Sequence, residues 1–253
     1  MLVSSDYQTL SEVYDYNNIV KATGEDFIKK MQDACIKRNG NKIITIVGMP
    51  GSGKSWACLR LAEVLNPEGK FHKDFIAYTK KDFYEIINSD FPKGQPIVYE
   101  EVGVNESNRS FWDNMETNKI MQTFRHRNAI LLMNTPMKSF ADKQQRDLNH
   151  AVFAMDKILY KSKKSIIKPY FTNINPVSGE QMVGWCMIKG DLISEIILKK
   201  PSTKLINYYE DKKIEFTKAL NTSSQLKNIQ REKDREKVMK VEIKKAKNMG
   251  VTF

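Results

Sequence analysis

Short apolar runs alternate with amphipathic stretches along most of the chain. Lys42–Val47 is β-branched and predicts a buried strand, and Ser55–Leu65 predicts a helix stopped before Pro67. Asp74–Tyr78 reads as a second strand, Lys81–Asn88 as a helix, and Pro96–Tyr99 as a third strand. A long helix over Asn108–Arg127 follows, then a fourth strand, Ala129–Met133, closed by Asn134-Thr135-Pro136, then a helix over Phe140–Ile158. This alternation predicts an α/β fold: a doubly wound, mostly parallel sheet with ligands at the carboxyl ends of its strands.

The flanks differ from that centre. Residues 1–41 are polar and aromatic, with a helix expected from Glu25 to Arg38 that ends at Asn39-Gly40. Ser165–Asn175 and Gln181–Lys189 flank Pro176-Val177-Ser178-Gly179 and predict a β-hairpin. Pro201–Leu220 is helical in pattern, and 221–253 is a charged tail, helical or flexible, with a thin apolar stripe. The organisation expected is an N-terminal helical segment (1–41), a nucleotide-binding core (42–160), a hairpin and helix completing it (161–220), and the tail (221–253).

Composition changes this picture in two ways. The longest apolar runs, such as Ile43–Val47 and Ala129–Met133, are too short to span a bilayer, and Met1–Asp6 lacks the order of a signal peptide. Cys35, Cys58 and Cys186 are odd in number and not in metal-ligand spacing, which points to reduced thiols in the cytoplasm. The net charge of +11 favours a polyanionic partner, nucleic acid or an anionic membrane face, against the plainer reading of a Lys-rich solubilising surface. Much of that excess lies in Lys161, Lys163, Lys164 and Lys168 and in the tail, whose nine Lys/Arg minus four acids leave +5.

The chemistry centres on Gly48-Met49-Pro50-Gly51-Ser52-Gly53-Lys54-Ser55. A triphosphate needs inward backbone N–H groups, a cation near its β and γ oxygens, and a hydroxyl on Mg²⁺, and the GxxxxGK[ST] spacing supplies all three. Gly48, Gly51 and Gly53 let the chain curl, Lys54 reaches the phosphates and Ser55 holds the metal; Pro50, Ser52 and Trp56 complete the nucleotide-binding set. The alternative is a glycine-rich turn that happens to carry a lysine, but a strand before and a helix after are the context that the motif requires. Pro96-Ile97-Val98-Tyr99-Glu100-Glu101 is an apolar strand ending in two acids. Glu100 is expected to orient Mg²⁺ through water and Glu101 to polarise the attacking water; the plainer reading is a solvated strand end. Asn134, at the next strand tip, either senses the γ phosphate or merely ends a strand before a turn. Arg109, Arg125, Arg127 and Arg146 are candidates for an arginine finger acting in a neighbouring subunit, and Phe111, Trp112 and Met115 read as helix core.

These residues, with Val102-Gly103-Val104, Asn108-Arg109-Ser110-Phe111-Trp112, Phe124-Arg125-His126-Arg127, Ile130–Pro136 and Arg146-Asp147-Leu148, resemble the FtsK/HerA class of P-loop ATPases. They are most similar to its zonula-occludens-toxin-like branch of archaea and viruses, over roughly residues 40–160. The chain carries Glu100 where the family's usual acid is Asp, and Asn134 where a Gln is usual. The resemblance implies a RecA-like core, a homo-oligomeric ring (often hexameric), Mg²⁺-ATP hydrolysis between subunits, and DNA pumping or packaging. The sequence also admits a helicase loader or replication initiator, a membrane-associated assembly or secretion ATPase held by a partner, and a small-molecule or nucleotide kinase. Two adjacent acids at a later strand tip weigh against the kinase. ATP is expected over GTP, since the chain has no guanine-specifying Asn-Lys-x-Asp motif.

Overall fold

A computed structural model describes residues 28, 32–33, 36–37, 39–66, 71–100, 124, 126–136, 148–175, 177–188 and 191–248. The chain divides into two compact units, Met1–Leu205 and Ile206–Phe253. In the first, β1 (Lys42–Val47), β2 (Ile76–Ala77), β3 (Pro96–Tyr99), β4 (Ile130–Thr135) and β5 (Ala151–Leu159) lie parallel in the order β2-β3-β4-β1-β5. The sheet continues antiparallel through β6 (Lys164–Ile174), β7 (Gln181–Ile188) and β8 (Asp191–Ile193), while β9 (Ile196–Lys199) pairs with β6.

The parallel strands are buried on both faces, as a sheet covered by helices requires. Their register explains the two layers. Ile97 aligns with Leu131 and Leu131 with Ile43, so odd-numbered residues share one face. There Ile43, Ile97, Tyr99, Leu131 and Met133 pack against Phe83, Ile86 and Ile87 of helix α2 (Lys80–Asn88), together with Phe124. Even-numbered Ile44, Ile46, Val98 and Leu132 face the other way, toward helix α1 (Lys54–Leu65), which packs on β1, β3 and β4. Helix α1 buries Ala57, Cys58, Leu59, Leu61, Ala62 and Leu65. Helix α2 starts with a reciprocal cap, in which Asp82 N–H donates to Thr79 Oγ1 at 3.1 Å and Thr79 N–H to the Asp82 carboxylate at 2.9 Å.

Several expectations change. The helix expected over Phe140–Ile158 is overturned for its C-terminal part, because Ala151–Leu159 is strand β5, paired with β1 on one side and β6 on the other. Its apolar positions suit a helical stripe, and Ala, Met, Lys and Leu are good helix formers. Those preferences are worth only a few tenths of a kcal/mol each, whereas burying Ala151, Val152 and Phe153 between two strands adds about 1.5–3 kcal/mol per large side chain. The second strand shrinks from Asp74–Tyr78 to Ile76–Ala77, since Lys73–Phe75 forms a 3₁₀ turn. Strand β4 runs through Asn134 and Thr135 instead of closing at Met133, and all six of its residues are buried. Strands β8 and β9 were not anticipated. The expected hairpin is present as β6 and β7.

Residues 28, 32–33 and 36–37 are helical, and Asn39 stands at φ 51, the left-handed turn expected there. Of the helix expected over Asn108–Arg127, only 124, 126 and 127 are described, and they are helical. Helix α3 (Thr203–Asn248) runs unbroken across the 220/221 boundary. Its second-unit portion is polar all round and carries close-spaced pairs, such as Lys212–Glu215 at 2.7 Å and Gln230–Asp234 at 3.0 Å. Among the described residues, no helix is long and apolar enough to cross a membrane.

Candidate nucleotide site

Strand β1 ends at Val47, and the chain curls through 48–53 before entering α1 at Lys54. Gly51 (φ +78) and Gly53 (φ +85) take left-handed conformations that other residues adopt only with strain. Gly48 is required for space: a Cβ there would lie 2.7 Å from Ser52 Oγ and 2.8 Å from Met155 Cβ. The loop is tied to the neighbouring strand by Gly48 N–H donating to the Pro136 carbonyl at 3.2 Å. Among the described residues no side chain caps α1, and its first turn holds no acid, so its leading N–H groups and dipole favour an anion. The Lys54 ammonium lies within the curl, donating to the carbonyls of Gly48 at 2.8 Å and Met49 at 2.9 Å. Ser52 Oγ is buried with no hydrogen-bond partner among the described residues. An orphaned hydroxyl, a lysine and uncapped N–H groups in one turn fit a polyphosphate.

Glu100 and Asn134 reach this loop through strand parity. Val98 aligns with Leu132, so Glu100 and Asn134, each two residues on, project from the α1 face. Asn134 Nδ2 donates to Glu100 Oε2 at 2.9 Å and lies 3.2 Å from Ser55 Oγ; the Ser55 hydroxyl donates to the same Glu100 oxygen at 3.3 Å. The backbone of Glu100 is fixed by its N–H donating to the Ala77 carbonyl at 2.9 Å. Glu100 is 4% exposed and Asn134 2%, so this polar triangle is built into the sheet's edge and is not a solvated strand end. A hydroxyl, a carboxylate and an amide are hard oxygen-rich groups suited to Mg²⁺, which takes few protein ligands and completes its shell with phosphate and water. Cys58 lies one helical turn beyond Lys54; burial first, then the Glu100 carboxylate, holds its thiol well above the usual range, against the pull of Lys54. It is an inert filler.

The remaining predicted residues separate. Pro50 is exposed on the loop, and Trp56 is 39% exposed on the first turn of α1, with Lys200 Nζ 4.9 Å above its ring. Arg127 precedes β4 and so stands at the opposite end of that strand from Asn134. Its guanidinium donates to the Ser89 carbonyl and lies 4.3 Å over the Phe91 ring. The structure does not bring it to the loop of its own chain. Glu101, Arg109, Arg125 and Arg146 lie outside the described residues, as do Phe111, Trp112, Met115 and Cys35. Cys58 and Cys186 are free thiols, and burial pushes the Cys186 pKa up to about 12. Of the hairpin lysines, Lys168 is drawn onto Asp156 at 2.9 Å, which raises its pKa.

Sequence reasoning missed Met155 and Ile158, which wall the loop: a Cβ at Gly53 would sit 3.2 Å from Ile158 Cδ1. It also missed Lys200. Neither carries a local motif, and only the pairing of β5 on β1 and of β9 on β6 brings them here.

No protein-family model matches the chain. No curated protein matches it either. Among solved structures, it is similar to the N-terminal domain of zonular occludens toxin from Neisseria meningitidis, at 17% identity over 59% of this chain and 96% of that one, with a TM-score of 0.34. It is also similar to a KaiC-like protein from Pyrococcus horikoshii (13% identity, 56% and 88% covered, TM-score 0.29). A third is the flagellar accessory protein FlaH from Methanocaldococcus jannaschii (12% identity, 57% and 90% covered, TM-score 0.28). The fold assignment rests on the chain's own geometry. Five parallel strands, with β4 inserted between the loop-bearing β1 and the acid-bearing β3, and a phosphate-type loop closing from β1 into α1, make a RecA-like P-loop fold.

Proposed function

We propose that this chain is a Mg²⁺-dependent ATPase of the FtsK/HerA type, near the zonula-occludens-toxin-like branch, working as an oligomeric ring that moves or packages DNA. The observation that carries the ATPase reading is the convergence of Glu100 and Asn134 on Ser55, one residue after the loop lysine. In this reading the loop N–H groups, Ser52 and Lys54 bind the triphosphate, and Ser55 and Glu100 hold the metal. Magnesium, when bound, supplies charge neutralisation between the β and γ phosphates. Asn134 holds the Glu100 carboxylate in place and faces the γ end of the loop. Glu101, next in the chain, takes the proton of the attacking water.

An arginine from a neighbouring subunit completes the site, with Arg109, Arg125 and Arg146 as first candidates. Arg127 is a weaker one, since the Ser89 carbonyl and the Phe91 ring already occupy its guanidinium. The DNA part of the reading is supported by the net charge of +11 and by the +5 of residues 221–253 (nine basic minus four acidic). That charge is carried on a helix continuous to Asn248.

The test is ATP turnover with and without duplex DNA, beside particle mass in solution. DNA-stimulated turnover by a ring is the expected result. Phosphate transfer to a small acceptor by a monomer, indifferent to DNA, would overturn the motor.

A further inference from the structure

Trp56 immediately follows the loop hydroxyl Ser55 and sits in the first turn of α1. Helical side chains lean toward the N-terminus of their helix, so its indole leans toward the phosphate loop. A large ring that keeps 39% of its surface exposed beside a ligand loop is an available stacking face.

The ring is also held in place. Lys200 Nζ stands 4.9 Å over it, and Lys200 is delivered there by two anchors. Its own N–H donates to the Lys163 carbonyl at 3.2 Å. Two residues on, Ser202 N–H donates to both carboxylate oxygens of Glu63, at 3.1 and 3.2 Å. Glu63 is itself paired with Arg60 at 3.2 Å, and 56, 60 and 63 fall on one face of α1. The segment leaving β9 is thus strapped along that face, with its ammonium ending on the indole.

The surroundings are cationic. Lys164 lies directly across from Lys199 in the β6–β9 pair, with Lys163 and Lys200 adjacent, and all four are exposed. Like charges facing each other across a strand pair are destabilising, and this arrangement is relieved by an anionic ligand nearby.

We propose that the Trp56 indole, clamped by Lys200, is the stacking platform for the base of a purine nucleoside triphosphate. A ring face reads the area of a base and not its hydrogen-bonding edge, so the platform accepts adenine and guanine alike. This rests on the phosphate-loop reading above, and the test separates the two.

Binding of Mg²⁺-ATP, Mg²⁺-GTP and inorganic tripolyphosphate to the full chain is measured by calorimetry. Trp56→Ala is expected to weaken ATP and GTP each by about tenfold and to leave tripolyphosphate unchanged, since only the nucleotides carry a base. Trp56→Phe restores most of the loss, and Lys200→Met gives a smaller loss confined to the nucleotides. Unchanged nucleotide affinity in Trp56→Ala would overturn the platform. Equal loss of tripolyphosphate would overturn it too, making Trp56 a prop for the loop. A wild-type affinity for ATP far above that for GTP would overturn edge-blind recognition. If the wild-type chain binds none of the three, the phosphate-loop reading itself falls, and the platform with it.

Discussion

The side-chain amide of Asn134 donates to Glu100 Oε2 at 2.9 Å, the same oxygen that takes the Ser55 hydroxyl at 3.3 Å. A buried carboxylate is thereby oriented from two different elements. Asn134→Ala removes a hydrogen bond to a charged group, at a cost of about 1.5–3 kcal/mol, and frees Glu100 to turn. Both Asn134→Ala and Glu100→Gln are expected to raise the Mg²⁺ concentration needed for half-maximal turnover several-fold while ATP still binds. A Mg²⁺ titration of turnover checks this, and an unchanged midpoint in both variants would remove Glu100 from the metal.

Lys54 and Glu101 separate binding from chemistry. Lys54→Ala is expected to abolish most triphosphate binding, because the cation within the curl of Gly48 and Met49 is lost. Glu101→Gln is expected to bind normally but hydrolyse about two to four decades more slowly, the worth of a positioned base. Single-turnover hydrolysis beside calorimetry tells them apart. Wild-type hydrolysis by Glu101→Gln would mean that the base lies elsewhere.

Shared sites make turnover rise more than linearly with protein concentration. Mixing inactive Lys54→Ala chains with inactive chains lacking Arg109, Arg125, Arg127 or Arg146 is expected to restore part of the activity for one of the four. Some interfaces then contain both an intact loop and an intact arginine. Failure of every mixture would argue for a site complete within one chain.

His150 gives stability a pH dependence. Its Nδ1 accepts from Ile43 N–H at 3.1 Å. Burial first, and Lys42 second, lowers its pKa from 6.5 to about 4. A proton on Nδ1 would break that bond. The unfolded chain therefore gains this proton near the ordinary histidine value and the folded one only near the depressed value. The contribution is fully present above pH 6.5 and is lost as pH falls through about 4, a change on the order of 3 kcal/mol. Urea midpoints from pH 7.5 down to about 4 check it: His150→Gln should show a shallower decline than the wild type. Parallel curves would show that the histidine is not the sensor.

The basic stretch of the long helix is expected to contact phosphates without regard to base sequence. Affinity for a random duplex should fall with salt at roughly −0.9 per phosphate contact in a log–log plot. Removing 221–253 should lower both affinity and slope. If both stay as they were, the helix docks protein and not DNA.

The phosphate loop was legible in the sequence because everything that defines it is local. Strand β1 is a run of β-branched residues, Gly51 and Gly53 occupy left-handed positions that few residues tolerate, and a helix former follows each constraint within a turn. The acid strand Pro96–Tyr99 and the β6–β7 hairpin were legible for the same reason. Asn134 was legible as a candidate, but its chemistry was not. Read locally it ends a strand, and only the alignment of Val98 with Leu132 puts its amide on the Glu100 carboxylate.

Strand β5 was misread because its local pattern suits a helix, and its partners β1 and β6 lie elsewhere in the chain. With it went Met155 and Ile158 at the loop wall, and β9 with Lys200 over Trp56. Backbone conformation within a turn is set by neighbours a few residues away, and a sequence displays those neighbours. Strand pairing and the face on which a side chain lands are set by segments a hundred residues apart, which meet only when burial of both sheet faces selects one register.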